Sequence, residues 1–497
     1  MERRLKILQV SPEVAPFAKT GGLADVASAL PQALSRLGHE VFLIMPRHKQ
    51  VRKSRKKLTE TARITVPVAD RYEEAEVYQA RLDRKVTTYL IDKEKYFDRD
   101  PLYGTPEGDY PDNCERFVFF CRAAIETALA LDLKPDVVHC HDWQSALIPL
   151  YIQLFYQDTP LARAATVFTV HNMAYQGIFW ALDLPLTSIP ESHFTPEGVE
   201  FYGKINFLKA GLVYSHLITT VSEGYSREIQ TEEYGYGLDG VLRKRSADLY
   251  GIINGVDYKE WDPATDKFIV ANYDSQNLEG KRRCKEDLMK QVGLKGLGEK
   301  PLIGMVSRMA EQKGFDILAE AMGELMALEL GMVILGTGDE KYQNLFAEMP
   351  KRFPEKLAVK LAFDNPLAHK IEAGCDMFLM PSKYEPCGLN QMYSLKYGTI
   401  PIVRATGGLD DTIENFDPTT EKGNGFKFIE YSAQELIAKV KEAVELFHEE
   451  KAAWRKLIQN AMACDFSWER SAEKYVKVYE KALEKIAICE GNSGGTL

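Results

Sequence analysis

The sequence predicts an α/β protein built from two doubly wound domains. Short apolar runs of strand length alternate with longer helical patterns almost throughout, as in parallel sheets covered by helices. The alternation breaks at a polar stretch from Trp261 to Lys300 and then restarts. A length of 497 residues suits two or three domains of about 100–200 residues each.

The first unit of the alternation is clear. Lys6–Val10 reads as a buried strand, and Leu23, Val26, Ala27, Leu30, Leu34 and Leu37 then recur at helical spacing. Gly38 stops that helix, and His39–Met45 resumes a strand. Pro135–His141, Ala165–His171, Leu217–Val221 and Leu249–Ile253 are the further strands of the first half. In the second half, Pro301–Val306, Met332–Leu335, Leu357–Phe363, Met377–Met380 and Ile400–Val403 read as strands. Phe315–Met326 and Leu389–Tyr397 are helices between them. The expected domains are residues 1–260 and 261–467. Two such domains facing each other place ligand sites in a central cleft, at the carboxyl ends of the strands. Glu490–Leu497 is rich in Gly and Ser and is expected to fray.

Composition narrows the function. The chain is 45% hydrophobic and 27% charged, as soluble globular proteins are. With 62 Lys+Arg against 72 Asp+Glu the net charge is −10, which speaks against nucleic acid and membrane surfaces as partners. The basic run Arg47–Lys57 reads as a solvated loop. Eight cysteines with no C-x-x-C pair do not make a disulfide framework. The N-terminal apolar run is a strand rather than a signal peptide, no run of eighteen apolar residues occurs, and no Ser/Arg-rich transit segment is seen. The expected location is a bacterial-type cytoplasm.

Four segments carry chemistry. Lys19-Thr20-Gly21-Gly22-Leu23-Ala24-Asp25-Val26 lies between a strand and a helix. Its paired glycines admit a ligand close to the backbone, and the helix start offers N–H groups and positive dipole to a pyrophosphate. It is neither G-x-G-x-x-G nor a P-loop, which argues against dinucleotide and ATPase chemistry. Arg308 and Lys313 place two cations on one strand–loop–helix connection, one suited to bidentate phosphate contact and one a mobile point charge. Gly336-Thr337-Gly338 reads as a tight turn. Ser382–Gln391 follows a strand and opens a helix, so Glu385 is placed either to accept from sugar hydroxyls or to complement the helix dipole.

His139-Cys140-His141-Asp142-Trp143 and Thr169-Val170-His171-Asn172 end two strands. Alternation points His139 and His141 away from Cys140 and Asp142, so converging metal ligands are not expected. Asp142 and His171 are better read as polar sugar-binding groups. Asp98-Arg99-Asp100 has the form of a D-x-D metal motif but lies in a loop-like region. Tyr96, Phe97, Tyr103, Tyr110, Asp112, Asn113, Arg116 and Phe117 suit either stacking on sugars or simple packing.

At these residues the chain resembles the bacterial glycogen synthase and plant starch synthase family. Lys19–Val26, His141-Asp142-Trp143, Thr169–Gly177, Ile253–Asp257, Glu385–Leu389 and Thr406–Thr412 match its signatures in order, from about Ile7 to Tyr479. The resemblance implies the GT-B type of two Rossmann-like domains. It also implies a C-terminal helix, residues 468–488, that crosses back to the first domain. The implied reaction is retaining transfer of glucose from ADP-glucose to the non-reducing end of an α-1,4-glucan, such as glycogen or starch, without metal or cofactor.

Carried over by motif, Lys19 and Gly22 contact the donor, while Arg308 and Lys313 neutralise the leaving diphosphate. Glu385, Cys387, Gly388 and Leu389 hold the glucose with Asp142, His171 and Asn254. Phe363 stands where the family places an aromatic ring against adenine, often Tyr. Asn390 replaces a common Thr. Tyr393 stands where the wider superfamily often has a second Glu. The competing readings are UDP-glucose as donor, a pyridoxal-phosphate glucan phosphorylase, and a non-catalytic glucan-binding scaffold.

Overall fold

The computed structural model describes residues 3–53, 58–83, 85–105, 107–295 and 297–493, the last five as backbone only. The chain divides into two compact units. Unit 1 comprises residues 1–221, 226–255 and 468–497, and unit 2 residues 222–225 and 256–467.

Unit 1 is built on a nine-stranded sheet. In spatial order its strands are Leu249–Gly251, Leu217–Thr220, Ala165–Val170, Val137–His141, Lys6–Val10, Glu40–Pro46, Thr87–Asp92, Arg71–Arg81 and Thr59–Val68. The first seven are parallel and the last two add an antiparallel meander. Ala165–Val170 is buried at every position, as expected of a strand covered on both faces. The helix Gly22–Arg36 and the C-terminal helix Trp468–Ser493 pack on this sheet. Trp468, Ala472, Tyr475 and Tyr479 join Val26, Leu30, Val137 and Val167 in one core. The close fit is visible at Gly255, where a Cβ would stand 2.5 Å from Trp468 Cα. Residues 494–497, where fraying is expected, lie outside the described residues.

Unit 2 has a six-stranded, wholly parallel sheet in the order Leu357–Lys360, Gly331–Leu335, Leu302–Val306, Met377–Met380, Ile400–Arg404, Phe426–Phe428. The polar stretch before it contributes one helix, Glu279–Val292. Several expected strands run shorter than their sequence pattern, among them Pro135–His141, which begins at Val137, and Leu249–Ile253, which ends at Gly251. Leu357–Phe363 ends at Lys360, with Leu361 and Phe363 exposed, and Ala165–His171 ends at Val170.

In the basic run, Arg47 and Arg52 both pair with Asp92, and Arg47 also covers the Tyr78 ring at 4.2 Å. Residues 54–57 of that run lie outside the described residues. Arg99, in the D-x-D-like segment, grips both oxygens of Asp112 at 2.6 Å.

Candidate active site

In unit 2 the strand Leu302–Val306 feeds the loop that carries Arg308 and Lys313. A second loop holds it in shape. Met309 N–H donates to Thr337 O at 2.9 Å, and Asp339 N–H donates to Met309 O at 2.8 Å. A Cβ on Gly336 would lie 1.8 Å from Ser307 O, and one on Gly338 2.3 Å from Met309 O. Gly336 and Gly338 are therefore explained by backbone contact. Arg308 is exposed and donates to Gln312 Oε1 at 3.1 Å.

Lys313 reaches across to the next loop, where its Nζ lies 2.5 Å from Glu385 Oε2. Ser382 Oγ donates to the same oxygen at 3.1 Å. The Glu385 carboxylate is buried, so the ion pair and hydroxyl offset the cost of taking the charge out of water. The turn after Glu385 is braced on several sides. Gly408 N–H donates to Glu385 O at 3.1 Å, and Ser222 Oγ donates to Pro386 O at 2.6 Å. Gln391 Nε2 donates to Cys387 O at 3.0 Å and Gly388 O at 3.1 Å. Gly388 has φ +70°, a left-handed conformation that side chains disfavour. Leu389 caps the helix Asn390–Tyr397. Asn390 Nδ2 donates to Val306 O at 2.6 Å, which ties this helix start to the strand that leads into Arg308. The result is a braced Lys313–Glu385 pair beside a helix N-terminus, with the exposed Arg308 on the same loop as Lys313. Phe363 is not among these contacts: its ring is 94% exposed.

In unit 1 the helix Gly22–Arg36 starts at Gly21 without a side-chain cap, and a Cβ at Gly21 or Gly22 would meet nothing within 4 Å. The approach to this helix start is open. Lys19 Nζ pairs with Asp25 at 2.8 Å, both exposed. The loop is organised by Glu13, which sequence reasoning missed. Its buried carboxylate accepts from Thr20 N–H at 2.5 Å, from the Thr20 hydroxyl at 2.7 Å and from the Tyr103 hydroxyl at 3.1 Å. One acidic residue between Pro12 and Val14, just past a buried strand, was the available signal.

Asp142 and His171 meet. Asp142 Oδ1 accepts from His171 N–H at 2.8 Å. Asp142 sits at φ +55° and ψ 177°, a sparsely populated region that costs about 1–3 kcal/mol for a residue with a Cβ. Burial pushes its carboxyl up from 3.8 to about 7, the Glu13 charge adds to the rise, and the His171 N–H opposes it. His171 itself is held neutral, its pKa pushed down to about 3 by burial, and its Nε2 contacts His141 Nδ1 at 3.1 Å. His139 lies with its ring centroid 4.2 Å from that of His141 and is bonded to Tyr479 and Thr169. Among the described residues no group of three or more His, Cys, Asp or Glu is placed to hold a metal ion. Asn254 Oδ1 is buried with no hydrogen-bond partner among the described residues, so it retains an acceptor's capacity.

The aromatic stretch resolves as packing. Tyr96, Phe97, Phe117 and Arg116 are fully buried, and Arg116 donates to Tyr96 O, Leu102 O and Asn113 Oδ1. Tyr103 serves Glu13 instead of standing free.

A family model described as the starch synthase catalytic domain matches residues 6–244, and one described as glycosyl transferases group 1 matches residues 287–461. The glycogen synthase of Koribacter versatilis is 52% identical over 481 residues, covering 97% of this chain and 99% of that protein. The chain belongs to the glycogen synthase family. Another family member, the glycogen synthase of Thermotoga maritima, is 46% identical over 491 residues, covering 97% of this chain and all, 100%, of that protein. The catalytic domain of starch synthase IV from Arabidopsis thaliana, solved bound to ADP and acarbose, superimposes with TM-score 0.88 at 32% identity, covering 97% of this chain and 100% of that one. Sucrose-phosphate synthase from Thermosynechococcus elongatus shares the fold at TM-score 0.59 and 16% identity. The architecture is therefore GT-B, with two Rossmann-like domains, and the family's members are hexosyltransferases that build glycogen or starch. No helix among the described residues is long and apolar enough to cross a membrane.

Proposed function

We propose that this chain elongates an α-1,4-glucan by transferring glucose from ADP-glucose with retention of the anomeric configuration, in the cytoplasm. The observation that carries this reading is the braced Lys313–Glu385 pair with Arg308 beside it, in a chain whose relatives over nearly its whole length are glycogen synthases. A buried carboxylate on a rigid turn suits sugar hydroxyls, and two cations nearby suit a diphosphate.

In this reading Arg308 and Lys313 neutralise the diphosphate as the bond from glucose C1 to the phosphate oxygen breaks. The sugar becomes oxocarbenium-like on the way. The acceptor hydroxyl adds to C1 from the same face, and the departing phosphate oxygen takes its proton. Glu385, with the turn Cys387-Gly388-Leu389, holds glucose hydroxyls. Asp142, the neutral His171 and the unpaired Asn254 Oδ1 are further acceptors and donors for sugar hydroxyls. Lys19 and the open helix start at Gly22 receive donor phosphate. Phe363 presents an exposed ring to the adenine. The units at 222–225 plus 256–467 and at 1–221 plus 226–255 act as donor and acceptor domains respectively.

The donor is tested by following glucose incorporation into glycogen from ADP-glucose and UDP-glucose in parallel, with EDTA present. Incorporation from ADP-glucose in strong excess over UDP-glucose is the expected result. Incorporation from neither, with glycogen still bound, would sink the enzymatic reading in favour of a scaffold.

The pH profile is a second test. With Asp142 titrating near 7, lowering the pH through that value converts its carboxylate into a neutral acid. Transfer should then lose an acidic limb's worth of kcat/KM, about tenfold per pH unit at the lower end. The same shift has a stability sign. Between the unfolded value of 3.8 and about 7 the folded protein binds the extra proton, so Asp142 makes the protein less stable as pH rises through that window. Asp142→Asn should abolish both trends. A melting temperature that follows pH identically in the two proteins would refute the shifted titration.

A further inference from the structure

We propose that His141 is a positioning residue that fixes the tautomer of His171, so that His171 presents an N–H at Nδ1 to a hydroxyl of the donor glucose. The inference rests on the sugar-binding role given to His171 above.

The two rings come together from the ends of neighbouring strands. His141 closes the strand Val137–His141, and His171 follows the strand Ala165–Val170, which pairs with it in parallel. His141 is fully buried and His171 partly so. Their contact runs from His141 Nδ1 to His171 Nε2 at 3.1 Å. Burial keeps both rings neutral: it pushes the pKa of His141 well down, with His139 and His171 adding to the fall, and that of His171 down to about 3. A neutral imidazole carries one N–H and one bare nitrogen, so one ring donates in this contact and the other accepts.

The far nitrogen of His141 decides which. Its Nε2 is buried with no hydrogen-bond partner among the described residues. His139 lies against the same ring, with centroids 4.2 Å apart, but both of its nitrogens are engaged. Its Nδ1 is 2.9 Å from the Tyr479 hydroxyl and its Nε2 2.6 Å from the Thr169 hydroxyl. It therefore offers His141 no acceptor. Were His171 the donor, His141 would hold its own proton on Nε2 and bury an N–H with nothing to receive it. With His141 as the donor, only a lone pair goes unpaired. Folded proteins tolerate a buried acceptor without a partner better than a buried N–H without one.

His141 thus donates from Nδ1, His171 accepts at Nε2, and the proton of His171 resides on its Nδ1. That nitrogen has no hydrogen-bond partner among the described residues. Asp142 holds the same residue by its main chain, through the His171 N–H bond to Oδ1 at 2.8 Å. Backbone and ring are fixed by separate groups before any sugar arrives, which spares the site that ordering cost on binding. A hydroxyl that accepts from His171 keeps its own proton for another acceptor.

The tautomer is read directly on the full-length protein carrying isotope-labelled histidine, with the His171 signals identified by their loss in His171→Ala. Long-range proton–nitrogen spectra at neutral pH should show His171 and His141 both protonated at Nδ1. In His141→Leu, His171 loses its donor and should move toward the Nε2–H form, and kcat/KM for ADP-glucose should fall about tenfold, the worth of one hydrogen bond. His141→Asn, whose amide can donate from the place of Nδ1, should keep the Nδ1–H form and most of the activity. Among ADP-glucose analogues that each lack one hydroxyl, one should cost the parent about tenfold and cost His141→Leu little. A parent His171 protonated at Nε2 overturns the proposal, and this result needs no variant to fold. So does a His171 that stays protonated at Nδ1 in His141→Leu. An equal loss in that variant on every analogue overturns it too, and leaves His141 with a role in the fold alone. A parent that transfers no glucose defeats the proposed activity instead, and the spectra still decide the tautomer.

Discussion

Arg308→Ala and Lys313→Ala should each lower glucosyl turnover by roughly a hundredfold to a thousandfold, the usual cost of removing a group aimed at developing charge. Their effects on stability should differ, and the difference follows from their surroundings. Arg308 is exposed and its guanidinium bonds to the side chain of Gln312, so its loss should leave the melting temperature unchanged. Lys313 is partly buried and neutralises the buried Glu385 carboxylate at 2.5 Å. Removing it strands that charge, a defect that costs about 3–5 kcal/mol when the partner is fully enclosed and less here, where the lysine retains some solvent. Glu385→Gln in the Lys313→Ala background should restore part of the stability and none of the turnover. Thermal melts and initial rates on the four proteins decide it. Equal melting temperatures for both single variants, or near-normal turnover in both, would contradict the assignment.

Most of the parallel strands were legible because they are buried on both faces and read as continuous apolar runs, although Thr87–Asp92 and Phe426–Phe428 were missed. Val137–His141 and Met377–Met380 show this most clearly, buried at every position. The meander Thr59–Val68 and Arg71–Arg81 was not legible. One face is wet, so Glu60, Arg63, Glu73, Glu74 and Glu76 interrupt the apolar pattern. The strand ends at Lys360, shorter than its apolar run, because Leu361, Ala362 and Phe363 continue that run but are left in solvent by the fold. Short strands around Trp180 carry too few residues for any period to register.

The site divides in the same way. Asp142 and His171 follow strand ends directly, Arg308 stands just past one, and Lys313 and Glu385 lie in the loops after strands, where the strand–loop–helix pattern points to them. Glu13 and Ser222 are not so marked: Glu13 holds the backbone of Thr20 within its own loop and Ser222 holds Pro386 O from a distant segment, and no spacing in the sequence announces such contacts. The aromatic stretch from Tyr96 to Phe117 was ambiguous because core packing and sugar stacking call for the same side chains. Burial separates them, and burial is a property of the folded chain.

Gly408→Ala should reduce turnover about as severely, roughly a hundredfold, without removing any group that meets substrate. A Cβ at Gly408 would stand 2.0 Å from Cys387 O and 2.6 Å from Cys387 Cα, both backbone atoms with no rotamer to yield. Its neighbour Gly407, at φ +46°, would bring a Cβ within 2.2 Å of Glu385 O. The methyl group must therefore push the Glu385–Cys387 turn away from the helix Gly407–Thr412, and the Gly408 N–H bond to Glu385 O goes with it. Overpacking of this kind destabilises by about 1–3 kcal/mol, while a displacement of about 1 Å at the carboxylate is enough to account for the rate. Gly22→Ala is the informative contrast. A Cβ there meets nothing within 4 Å and the backbone is not left-handed, so the fold should accept it. If Gly22→Ala nevertheless raises KM for ADP-glucose while the melting temperature holds, the open space at that helix start is the space a donor phosphate uses. If both KM and melting temperature stay at the parent's values, the glycine there only turns the chain, and Lys19 alone remains as the phosphate contact of that loop.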